Sequence, residues 1–78
     1  MPFYFFQWTK EIIEHLAEHG VSQDEFEAIV CSPDTRSTSR SSGLPIAFGE
    51  TDDGRFLACV YELEQNTIVI PITAYEVG

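Results

Sequence analysis

Apolar residues change their spacing along this chain. Between Lys10 and His19, Ile12, Ile13, Leu16 and Ala17 recur at helical intervals, and Glu11, Glu14, His15 and Glu18 take the other face. Thr9 stands where an N-cap belongs. Gly20 supplies the left-handed position that ends the helix, and Val21 follows where a Schellman-type apolar contact is made. A second helix over residues 23–30 begins almost at once. In "VSQDEF", Ser22 can cap, Glu25 can bond back to it, and Val21 can pack on Phe26 as a hydrophobic staple. "CSPDT" then breaks the helix, and the polar run "RSTSRSSG" is read as a strand, a mobile loop or half of each.

From Leu44 onward the pattern alternates as strands do. "LPIAFGE", "FLACVYEL" and "TIVIPITAYEV" are separated by turns at "TDDGR" and "EQN". A two-residue type I′ turn at Asp53-Gly54 would pair Asp52 with Arg55, Glu50 with Leu57, Phe48 with Cys59 and Ile46 with Tyr61. Paired residues share a face. That register puts Ile46, Phe48, Leu57, Cys59, Tyr61 and Leu63 against the helices, and Ala47, Gly49, Phe56, Ala58 and Val60 on the other side. In the last strand Ile68, Ile70 and Ile72 form the expected inward set, and Pro71 requires an edge, a bulge or a nitrogen turned away from the neighbouring strand. The opening "MPFYFFQW", with Phe3, Tyr4, Phe5, Phe6 and Trp8, is expected to run extended, as core packing or a short edge strand, with base stacking as the alternative. The expected architecture is a single α+β domain over residues 1–78: two short N-terminal helices packed on an antiparallel β-meander of three to four strands.

Composition narrows the chemistry. Thirteen acidic residues against four basic give a net charge of -9, which disfavours general nucleic-acid binding. The same repulsion argues against DNA reading by the helix pair, because the second helix opens on "QDEFE". No stretch approaches the roughly 20 apolar residues of a membrane span. With no cationic leader, Cys31 and Cys59 are expected to be free thiols in a cytoplasmic protein, a disulfide being the lesser reading.

His15 and His19 lie four apart on a helix, but no H-E-x-x-H pattern is present, and neither a metal nor another cofactor is expected. Glu50, Asp52 and Asp53 read as a solvated hairpin tip, with a cation site as the rival. Arg36, Arg40 and Arg55 are three of the four basic side chains, in or near a stretch poor in acids. They are either a local anion site or surface arginines that protect an edge.

"FQWT", "EHGVS", "FGETDDGRFLACVYE" and "ITAYE", in this order and over residues 5–76, resemble the BrnT-like toxins of bacterial toxin-antitoxin systems, whose fold is akin to RelE ribonucleases. The resemblance implies a small bacterial protein related to RNA-cleaving toxins and neutralised by a small antitoxin partner. It assigns Arg55 as phosphate stabiliser, Tyr75 or Glu76 as proton carrier, and Arg36, Arg40 and His19 as RNA-binding groups. Two departures bear on activity. Such toxins carry arginines on the last strand, where this chain has Val69 and Tyr75, and they continue into a basic helix, whereas this sequence stops at Gly78. Any remaining RNA binding is therefore expected to be weak, and RNA cleavage is left open. The other reading is a non-catalytic protein-binding module on the same scaffold. Exposed edge strands add a homodimer as a further partner to test.

Overall fold

The computed structural model describes residues 4–77. Its elements are β1 (Phe5–Phe6), α1 (Lys10–Glu18), α2 (Gln23–Cys31), β2 (Thr35–Thr38), β3 (Pro45–Glu50), β4 (Phe56–Glu64) and β5 (Ile68–Glu76). The protein is α+β, with a mixed five-stranded sheet in the order β1-β5-β4-β3-β2. The antiparallel meander comprises β2 to β5, and β1 joins it as a parallel edge strand beside β5. Of the aromatic opening, Phe5–Phe6 form this fifth strand and Tyr4 and Trp8 flank it, while residues 1–3, Phe3 among them, lie outside the described residues. The polar run resolves into strand β2 followed by a turn.

Both helices form where local chemistry stops and starts them. The Thr9 hydroxyl accepts the Ile12 N–H at 3.3 Å. At the other end Gly20 adopts φ 74°, and the Val21 and Gly20 amides donate to the Leu16 and Ala17 carbonyls at 2.9 and 3.0 Å, the Schellman pattern. The capping box is complete: Glu25 N–H donates to Ser22 Oγ at 3.1 Å, and Ser22 N–H donates to Glu25 Oε1 at 3.0 Å. Leu16 of α1 and Phe26 and Ile29 of α2 share one buried cluster with Ala47, Leu57, Tyr61 and Val69, so both helices cover the same face of the sheet. Trp8 meets Phe26 edge-on at 5.6 Å, and its indole N–H donates to Glu27 Oε2 at 2.7 Å, which seats the aromatic opening against this core.

Two sheet expectations are overturned. The first is the β3–β4 register, where Phe48 pairs with Ala58, Ala47 with Cys59 and Ile46 with Val60, one residue from the expected set. Residues 52–54 form a three-residue loop in place of the two-residue turn. Gly54 N–H donates to the Thr51 carbonyl at 3.0 Å, Gly54 takes φ 88°, and the Thr51 N–H donates to the Arg55 carbonyl at 2.8 Å. The Thr51 hydroxyl accepts the Arg55 N–H at 3.1 Å and donates to Asp53 Oδ1, which stabilises the wider loop. A slip of one residue turns a strand over. Ala47 and Gly49 therefore face the helices, and Ile46 and Phe48 stand on the open side with Ala58 and Val60. Packing favours this arrangement, because a Cβ on Gly49 would lie 3.1 Å from Ile29 Cγ2. The expected β4 set of Leu57, Cys59 and Tyr61 does face the helices.

The second is the inward set of β5. Tyr61 pairs with Pro71 but Val60 with Thr73, so Ile72 is the extra residue of a bulge. Val69 and Ala74, one on each side of it, are the fully buried residues, and Ile72 is 38% exposed. Pro71 adjoins the bulge. The paired positive φ angles of a type I′ turn occur at the other hairpin, at Gln65 (54°) and Asn66 (57°), where Thr67 N–H donates to the Glu64 carbonyl at 3.0 Å. No helix among the described residues is long and apolar enough to cross a membrane.

Candidate functional site

Arg55 immediately precedes β4, at the point where the helix–helix junction meets the β3–β4 loop. Its Nη2 donates to Glu25 Oε2 at 2.6 Å, its Nη1 to the Gly20 carbonyl at 2.7 Å, and its Nε to Asp53 Oδ2 at 3.0 Å. One guanidinium thus ties the end of α1, the start of α2 and the hairpin together. Glu25 serves two purposes, since one oxygen completes the capping box and the other receives Arg55. The Thr51 hydroxyl and then Arg55 hold the Asp53 carboxyl below its ordinary range, and Asp53 with Glu25 raises the Arg55 pKa. Two carboxylates on one guanidinium leave the immediate surroundings negative.

Arg36, exposed on β2, is likewise engaged. It donates to the Tyr61 hydroxyl at 2.9 Å and to the Val30 carbonyl at 3.2 Å, near the end of α2, where a cation is favoured. Burial pushes the Tyr61 phenol up, and Arg36 opposes that shift. Arg40 is exposed in the turn after β2 and has no hydrogen bond or ion pair among the described residues. His19 caps α1, its ring edge-on to that of His15 at 4.9 Å, and His15 Nε2 lies 3.0 Å from the Thr73 hydroxyl.

Strand register places these groups apart. Glu76 pairs with Leu57, on the helix-covered face two residues from Arg55, and Gly20, whose carbonyl Arg55 holds, follows His19. Tyr75 pairs with Ala58 on the open face. Arg36 on β2 pairs with Ala47 of β3, and Arg40 lies past the C-terminal end of β2. The structure therefore gathers Arg55, Glu76 and the His19 turn toward one end, and leaves Tyr75, Arg36 and Arg40 elsewhere. Asp53 is two residues from Arg55, but Gly20 and Glu25 are thirty or more away, and no local pattern pairs them with it. The spare oxygen of the Glu25 capping box was the one available signal.

A hollow of about 240 Å³ lies between α2 and the hairpin, lined by Asp24, Glu25, Ala28, Ile29, Glu50, Thr51 and Asp52. Among the described residues no group of three or more His, Cys, Asp or Glu side chains could hold a metal ion. Cys31 and Cys59 are free; burial and the Glu25 charge push the Cys59 thiol up to about 12. No family model, curated protein or solved structure matches the chain.

Proposed function

We propose that this chain is a non-catalytic protein-binding module on a BrnT-like scaffold, which associates with a small basic partner of the antitoxin kind. The observation that carries the reading is the occupancy of Arg55. RNA cleavage by such a scaffold needs a cation free to stabilise a crowded phosphate. Here the guanidinium already spans Glu25, Asp53 and the Gly20 carbonyl. A phosphate would have to displace two carboxylates from it, on a chain whose net charge of -9 repels polyanions. The same charge favours encounter with a basic protein. Arg36, the second candidate cation, is committed to Tyr61 and Val30.

Expression in a bacterial host tests this reading against a ribonuclease toxin. Unimpaired growth, and messenger RNA left intact by micromolar purified protein, are expected. Growth arrest that Arg55→Ala abolishes would overturn the reading in favour of a toxin that cleaves RNA.

A further inference from the structure

We infer that the open face of the sheet, around Phe48, Phe56 and Tyr75, is the docking surface, and that its occupant is a basic amphipathic helix of a partner protein. This rests on the protein-association reading above and adds the surface and the kind of segment it takes. Helices cover one face of the sheet. On the other, Ile46, Ala58 and Val60 form a second, buried apolar cluster, with Leu44 and Phe48 packed over it as the base of the exposed aromatics. The Phe48 and Phe56 rings stack at 6.2 Å with 10° between their planes, making a flat apolar platform. Phe56 is 36% exposed and Tyr75, paired with Ala58 on the same face, 43% exposed. Among the described residues no helix covers this face, and an exposed apolar patch of this kind marks an interaction surface.

Charge selects the occupant. Glu62 and Glu64 are exposed and belong to this face, where Ile70 and Ile68 are their partners in register. None of the four basic residues holds a strand position there: Lys10 opens α1, Arg36 and Arg55 are committed on the covered side, and Arg40 sits in a turn. A second copy of the chain would bring like carboxylates together across the two-fold and add a net charge of -9 to another of -9. The aromatics could stack bases, but exposed Glu50, opposite Phe56 in register, would repel the phosphates. A helix with leucine on one side and lysine on the other meets both requirements, and it lies on a sheet face as α1 and α2 do on the other side.

The probe is a fluorescein-labelled 18-residue Leu-Lys amphipathic peptide, with a Leu-Glu peptide of the same pattern as control, followed by anisotropy and by amide chemical-shift mapping. Binding of the Leu-Lys peptide alone is expected, with shifts centred on Phe48, Phe56 and Tyr75. The Phe56→Ala/Tyr75→Ala variant should weaken it at least tenfold, with its thermal unfolding monitored to show that it folds. Glu62→Gln/Glu64→Gln, which leaves the apolar surface intact, should weaken it severalfold and flatten its salt dependence, whereas Glu14→Gln/Glu18→Gln on α1 should not. No binding, equal binding of both peptides, or shifts confined to the helices or to the hollow by Asp24 would overturn the inference. In the last case protein association survives and only the surface is wrong. Self-association in sedimentation that perturbs Phe56 and Tyr75 would assign the face to a second copy. Tight binding of a twelve-residue oligouridine on these aromatics would overturn both this inference and the proposed function.

Discussion

The two faces of the sheet use side-chain size in opposite ways on β3. Under the helices it carries Ala47 and Gly49, and on the open side Ile46 and Phe48. The covered face is already filled from above by Leu16, Phe26 and Ile29, so β3 must stay small there, with Ile29 resting on Gly49. Nothing in the fold requires bulk on the other side. The charges differ as well: Arg36 and Arg55 are bound on the covered side, and Glu62 and Glu64 are exposed on the open one. One face holds the fold together, and the other is available to a partner.

The largest effect that tests this contrast comes from aromatic truncation. Phe26→Ala, at a fully buried position, should cost about 3–5 kcal/mol in denaturant unfolding. Phe48→Ala on the open side should cost only about 1 kcal/mol, because part of its surface already meets water. Equal costs would mean that the open face is core. Next is Gly49→Val, whose branched side chain would press on Ile29 and should destabilise by about 1–3 kcal/mol, while Phe48→Val should approach neutrality.

How much of this was legible in the sequence follows from how local each determinant is. Thr9, Gly20 and the Ser22–Glu25 box act within a few residues, and both helices were readable from them. The β3–β4 register turned on the Thr51 hydroxyl and on Ile29 meeting Gly49, and Asp53-Gly54 alone pointed to the narrower turn. Ile72 looked like one member of an alternating isoleucine row until pairing with β4 introduced the bulge. At the candidate site, Arg55 could be singled out by type and position. Its role depends on Glu25, thirty residues away in sequence, and on Gly20, thirty-five away.

Smaller effects sharpen the contrast on the covered side. Asp53 has a lowered pKa in the folded protein, so its stabilising contribution is present above the unfolded carboxylate value and is lost as pH falls through the folded one. Asp53→Asn should therefore reduce stability at neutral pH and make its decline in acid shallower, as read by thermal midpoints across a pH series. An unchanged acid limb would show that the Asp53–Arg55 contact adds little. Thiol labelling at pH 8 should modify exposed Cys31, though burial and the Glu27 charge push its thiol up and slow it, and leave Cys59, with its thiol near 12, unmodified in the folded chain. Fast labelling of both would mean that the covered face opens.

The engagement of Arg55 is the central claim, and its Nε–H resonance reports on it directly. In low salt, with single-stranded RNA added in excess, that proton should keep its shift and its slow exchange with water, and the RNA should remain whole. A shift of the Arg55 signal accompanied by micromolar RNA binding, with both lost in Arg55→Ala, would contradict the account.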